Sequence, residues 1–371
     1  MKRKAVLTLS NGSWLEGKLI GAPLVSSGEL VFTTAMVGYN ETLSDPSFFG
    51  QILIFSYPLI GNYGVPPMSG MDTVPGLESD KIHASAVIMT QDSVTAYHWN
   101  TITTVDEWLK QHGVPGIIGI DTRELIHKVR DSNKLLGIIT PENSEGSRIL
   151  HPKLSDFNHS NFFDPSTYEV TPLVSTPTKK IIGKGKTRIG LIDCGVKWNI
   201  IRNLLRMECE IELLPSDTDL SKIDCQGWVI SNGPGDPQNT GDLKSKIFKL
   251  YKETRPILGI CMGNQIMGLA AGATTERLIH GHRGHNQPVY MFGTNKAFMT
   301  SQNHGYVVSK QTLPEEWKPW FINVNDGSIE GIAHIEKPFW GVQFHPEAAG
   351  GPCDTRWIFD DFIKAVQRGQ K

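Results

Sequence analysis

Neither sign of charge dominates this chain of 371 residues: 36 lysines and arginines stand against 38 acidic residues, for a net charge of -2. The basic residues are scattered, so the electrostatic footprint that nucleic acid requires is missing, and so is an acidic tail. Cysteine is scarce. The five present, at 194, 209, 225, 261 and 353, are odd in number and show no C-x-x-C spacing. That argues against a disulfide scaffold or a zinc ribbon and fits a reducing cytoplasm. No apolar run approaches membrane-spanning length, and the one behind the basic start MKRK is interrupted at Thr8 and ends at Ser10, too short for a secretion signal. Repeats and low-complexity tracts are missing too. The expectation is a cytoplasmic protein with neither membrane nor nucleic acid among its partners.

What is there suggests two domains, since the chain is longer than one typical core supports. A seam lies at Thr171–Thr187, TPLVSTPTKKIIGKGKT, where neither secondary-structure period holds. It reads as a linker, 171–187, between domains at 1–170 and 188–371. Beyond it, apolar strands at Arg188–Asp193, Glu210–Leu214, Trp228–Ile230 and Pro256–Ile260 alternate with helical spacing at Trp198–Met207 and Leu243–Glu253. Such a succession implies an α/β domain, a mainly parallel sheet with helices on both faces and a ligand site at the strands' carboxyl ends. Gly331–Ile335 and Trp340–Phe344 read as a hairpin. Before the seam, short apolar segments alternate with Gly/Pro turns, and helical patterns occur near Asp106–Gln111 and Thr122–Arg130. That domain is mixed α+β.

Three motifs carry chemistry. In PILGICMGNQ, Pro256–Gln265, an apolar strand delivers Cys261 between Gly259 and Gly263 into a helix-forming stretch. This is the cysteine version of a nucleophile elbow, with the sulfur at a helix N-terminus that favours a thiolate. A cysteine between glycines is also a common packing unit. In QFHPE, His345 and Glu347 are two apart on an extended segment and face one side. They can supply the base and the group that orients it; the plain alternative is a capping histidine beside a solvated glutamate. The zinc-deaminase use of H-x-E requires P-C-x-x-C, which is not there. In SNGPGDP, Ser231–Pro237, glycines and prolines make a rigid turn after a strand. Its amides, with that of Met262, could hold an oxyanion, or the turn is only a turn. No Walker lysine follows it.

In this order the three motifs resemble the class I glutamine amidotransferase domain. The rest of the chain is similar to the small subunit of carbamoyl-phosphate synthetase. The likeness runs through FTTAMVGYNETLSDPSF and YPLIGNYG between Val31 and Gly64, then GIDTREL at Gly119–Leu125 and TSQNHGY at Thr300–Tyr306. It continues through NVNDGSIEGI at Asn323–Ile332 and QFHPEAAGGPCDT at Gln343–Thr355. The resemblance implies Cys261 as nucleophile, His345 as base and Glu347 as its orienter. It also implies glutamine contacts from Ser47, Gly233, Gly235, Met262, Gln265, Asn303, Gly305 and Tyr306, with Ser47 reaching in from the N-terminal domain. The ammonia released would pass to a large subunit, in a heterodimer or higher oligomer. That subunit holds the ATP and magnesium, because this chain has no nucleotide loop and no cofactor of its own. Two departures stand out. Asn264 replaces the family's histidine after the nucleophile, and His280, His282 and His285 lie in an altered Gly/Arg-rich loop, for which no metal is expected. Two rival readings share the triad or the architecture: a stand-alone thiol hydrolase and a regulatory subunit without catalysis.

Overall fold

The computed structural model describes residues 2–68, 70, 76–154 and 161–369, and these divide into two compact units that meet in the chain between Tyr168 and Glu169. In the first unit the strands are β1 (Lys4–Leu9), β2 (Trp14–Gly21), β3 (Ser26–Thr33), β4 (Gln51–Phe55), β5 (Ala86–Met89), β6 (Pro115–Ile118) and β7 (Leu136–Pro141). They close into a barrel in the order β1-β2-β6-β5-β4-β3-β7, with β7 antiparallel to β1. Strand alternation sorts the side chains. Ile52, Ile54, Ala86 and Ile88 belong to one apolar cluster, while Leu53, Phe55, Val87 and Met89 belong to another. Helices α1 (Tyr39–Ser44), α2 (Val105–Gln111) and α3 (Thr122–Arg130) complete the unit. The DTRE of GIDTREL has a local purpose: the Asp121 side chain accepts a hydrogen bond from Glu124 N at 2.9 Å and caps α3.

The second unit holds one sheet of ten strands. They are β8 (Lys180–Ile182), β9 (Thr187–Asp193), β10 (Cys209–Pro215), β11 (Gly227–Ile230), β12 (Ile257–Ile260), β13 (Thr275–Met291), β14 (Ala297–Val308), β15 (Trp317–Asn323), β16 (Ile329–His334) and β17 (Phe339–Val342), in the order β14-β13-β15-β16-β17-β12-β11-β9-β10-β8. The parallel sheet expected from the β-α-β succession is its core, β17-β12-β11-β9-β10. Antiparallel strands extend it on both sides. The helices are α4 (Thr171–Val174), α5 (Trp198–Arg206), α6 (Leu243–Leu250), α7 (Met262–Ala271) and α8 (Trp357–Arg368). Leu191, Val229 and Leu258 pack with residues of α5 and α8 on one face, and Ile192, Ile230 and Ile257 with residues of α6 and α7 on the other.

The expected hairpin forms as β16 and β17, paired Gly331 to Val342. Two expectations need correction. The stretch 171–187 is not bare linker: it carries α4 and β8, and β8 pairs with β10 at the end of the sheet. Its lysines and glycine masked a three-residue strand too short to show a period. The loop expected around His280–His285 is strand β13, antiparallel to β14 with register breaks between Arg277 and His282 and between Gly284 and Gln287. Those breaks are why its residues fail to alternate.

Candidate active site

The four strands β9, β11, β12 and β17 run parallel, and all four end at the same margin of the sheet. Each delivers one part of the site. From β12 the chain turns into α7 at Cys261, whose φ of 55° is rare for a residue with a side chain. The turn is possible because two glycines remove obstacles. A Cβ on Gly263 would stand 2.2 Å from Ile230 O of β11, and one on Gly259 would stand 2.7 Å from the Gly263 backbone. The Cys261 amide donates to Val342 O at 2.7 Å, which ties the elbow to β17. Cys261 is buried, at 3% exposure.

From β17 the chain continues through Gln343 to His345. The ring Nδ1 lies 2.6 Å from Glu347 Oε1, and the His345 amide donates to Ser301 O at 2.9 Å. Both side chains are buried. Burial and the Lys197 cation push the imidazole toward neutrality, but Glu347 and the nearby Cys261 outweigh them and raise its pKa. Burial works against the Glu347 carboxylate, yet Lys197 and His345 hold it well below its ordinary value. His345 and Glu347 are thus a buried pair, and Cys261, more than eighty residues earlier in the chain, is near enough to act on the proton of the imidazole.

Sequence reasoning passed over Lys197. It follows β9, and its Nζ lies 3.1 Å from Glu347 Oε1 with only 9% of the side chain exposed. Asp193 shapes the turn that presents it, accepting from the amides of Gly195 and Val196 at 2.9 and 2.8 Å. A lone lysine after a strand carries no pattern. Gln343 was quoted only as part of a motif, yet its Nε2 lies 3.7 Å from Cys261 Sγ. Its Oε1 accepts from Gln265 Nε2 at 3.2 Å and from Asn264 Nδ2 at 3.3 Å. Asn264, in the place of the family's histidine, therefore bears on the sulfur through Gln343. Asn199 Nδ2 donates to the Glu347 carbonyl.

The remaining expected residues divide by unit. From β11 comes the turn with Gly233 and Gly235. A Cβ on Gly233 would meet Cys194 O at 2.2 Å, and Gly235 takes φ 89°. Ser231 O accepts from Gly263 N at 3.1 Å, so this turn and the start of α7 are joined. Met262 opens α7, and Gln265, one turn on, donates to Tyr306 O at 2.7 Å. Strand β14 contributes Asn303, whose carbonyl lies 3.8 Å from Cys261 Sγ, followed by Gly305 and Tyr306. Ser47 belongs to the first unit, in the short 3-10 turn Pro46–Phe48, where its amide donates to Asp45 Oδ1 at 2.9 Å.

The five cysteines are all unpaired. Among the described residues, no helix is long and apolar enough to cross a membrane. Of the three histidines of the 280–285 segment, His282 turns inward toward His304 and Glu330, and one ligand atom from each of these three lies within 4.8 Å of the others.

Comparison with known proteins relates both parts of the chain to known families. Residues 190–365 match the family described as glutamine amidotransferase class-I. Residues 7–139 match the carbamoyl-phosphate synthase small chain, CPSase domain. The carbamoyl phosphate synthase small chain of Pyrococcus furiosus is 40% identical over 98% of this chain and 98% of its own length. The arginine-specific small chain of Saccharomyces cerevisiae is 38% identical over 99% of this chain and 90% of its own. The multifunctional protein pyr1-3 of Dictyostelium discoideum is 42% identical over 98% of this chain, which spans only 17% of that protein's length.

Proposed function

Because the chain belongs to the carbamoyl-phosphate synthase small-chain family, we propose that it is the glutamine-hydrolysing subunit of that synthase, with Cys261, His345 and Glu347 as its catalytic residues. The observations that carry the reading are the buried Glu347–His345 pair and a cysteine held at a strained strand-to-helix turn. The Cys261 thiolate attacks the side-chain amide carbon of L-glutamine. Met262 N, at the head of α7, and the amides of the Gly233–Gly235 turn are the donors for the oxyanion. His345, held protonated by its neighbours, gives its proton to the departing ammonia. Water, deprotonated by His345, then frees glutamate from the γ-glutamyl thioester. Glu347 fixes the ring, and Lys197 holds Glu347 charged. Gln265 and Asn303 bind the amino-acid end of glutamine, with Gly305 and Tyr306 as further contacts.

The ammonia then goes to a large synthetase subunit, where ATP, magnesium and bicarbonate yield carbamoyl phosphate. Relatives such as pyr1-3, far longer than this chain, support a partnership with further catalytic units. Free cysteines are in keeping with a cytoplasmic setting.

Substituting Cys261→Ala is the test. In the complex with the large subunit, glutamine-dependent synthesis should fall at least about a thousandfold, while synthesis from added ammonia survives. Loss of both activities, or of neither, contradicts the assignment. Wild-type chain measured alone and then with its partner separates this reading from a stand-alone hydrolase, because closure on pairing should accelerate hydrolysis.

A further inference from the structure

Strands β13, β14 and β16 hold a buried cluster that the hydrolysis does not use. His282 of β13, His304 of β14 and Glu330 of β16 come together from three strands and are all buried. Each histidine has its outer nitrogen committed. His282 Nε2 donates to the Asp326 carboxylate at 2.9 Å, and His304 Nδ1 donates to the Tyr306 carbonyl at 3.1 Å. With those protons placed, the inner nitrogens of neutral rings carry lone pairs. Each faces acceptors, although His282 Nδ1 also lies 3.3 Å from the Asn323 side-chain nitrogen. His282 Nδ1 is 2.9 Å from Glu330 Oε1; His304 Nε2 is 3.1 Å from Gln302 Oε1 and 3.5 Å from Glu330 Oε2. Gln302 cannot resolve this by turning over, because its Nε2 is used on Thr300 Oγ1 at 3.1 Å. Glu330 Oε2 itself is buried without a hydrogen-bond partner. Lone pairs of two imidazoles and a carboxylate therefore converge on one closed space, a donor set that suits a cation.

We propose that His282, His304 and Glu330 form a structural zinc site that locks β14 against β13 and β16. Two imidazoles and a carboxylate suit zinc, and burial from solvent fits a closed structural site. The ligand atoms lie within 4.8 Å of one another, and tetrahedral zinc sets its ligands about 3.3 Å apart, so a small inward movement completes the site. Gln302 Oε1 stands ready as the fourth donor. The outer partners have the arrangement that zinc histidines usually show, a carboxylate on one ring and a backbone carbonyl on the other. A filled site would stiffen the strand that carries Asn303, Gly305 and Tyr306, since Tyr306 O accepts from both His304 and Gln265. None of this depends on the assignment of the hydrolysis.

The experiment uses the full chain, stripped with a chelator, dialysed against zinc alone and analysed for metal per chain. Cobalt is substituted in parallel for its visible spectrum. The folded wild type should retain one zinc, and so should Cys261→Ser, which excludes capture by the nucleophile. Glu330→Gln should lose it, and Asp326→Asn should weaken retention about 10- to 100-fold. Cobalt should give the d–d bands of a four-coordinate site without a thiolate charge-transfer band, a readout that stands even if Glu330→Gln does not fold. Failure of the folded wild type to retain zinc overturns the site and leaves a network filled by protons. Retention that disappears with Cys261→Ser, or survives in folded Glu330→Gln, overturns it as well.

Discussion

Lys197 governs both partners of the buried pair at once. It holds Glu347 ionised and, being a cation, opposes the proton on His345. Replacement Lys197→Met removes that opposition, so the imidazole keeps its proton to higher pH. In the proposed mechanism deacylation needs His345 as a base, and the rate of glutamine hydrolysis should therefore reach its maximum at higher pH than in wild type, a displacement read from kcat against pH. Glu347→Gln acts in the opposite sense, because the charge that raises the imidazole pKa is gone, and the profile should move toward acid. The shift in Lys197→Met does not follow if Lys197 serves only to fill space. At this scale the sequence was partly legible. Cys261, His345 and Glu347 stood out because their motifs have spacing that chemistry explains. Lys197 did not, because the property that matters, a charge with 9% of its side chain exposed, exists only once the segments that follow β9 and β17 meet beyond the strand ends.

The element most tightly specified is the passage from β12 into α7. Gly263 sits against β11, and alanine there would place its Cβ 2.2 Å from Ile230 O. The helix must then move off the sheet, at a cost of about 1–3 kcal/mol. Urea denaturation of Gly263→Ala should show this as a lower midpoint with an unchanged slope, and the displaced Cys261 should also lower hydrolysis. The parallel strands were legible as short apolar runs, and α5 as Ile200, Ile201, Leu204 and Leu205 on one face. The β13–β14 ribbon was not. Residues such as His280, Arg283, Asn286 and Gln287 have no strand preference, and two breaks in register erase the alternation that a reader would look for. Barrel closure was hidden for another reason: Leu7 pairs with Ile139 across most of the first unit, and long-range pairing leaves no trace in local pattern.

Across the whole molecule, each unit has clusters of its own, drawn from residues of that unit alone. A fragment beginning at Glu169 retains β8 and should unfold cooperatively in urea, whereas one beginning at Arg188 loses β8 and bares the edge of β10. The second fragment should be less stable and more prone to associate, as light scattering would show. The main-chain geometry at residue 261 bears on the stability of the entire protein. A conformation that only glycine accepts freely, held by a cysteine, costs on the order of 1–3 kcal/mol, a sizeable part of the margin by which domains stay folded. Cys261→Gly should accordingly melt at higher temperature than the parent while hydrolysing nothing. Durability and turnover pull this position in opposite directions, and a lineage released from the need to hydrolyse glutamine would gain robustness by abandoning the thiol first.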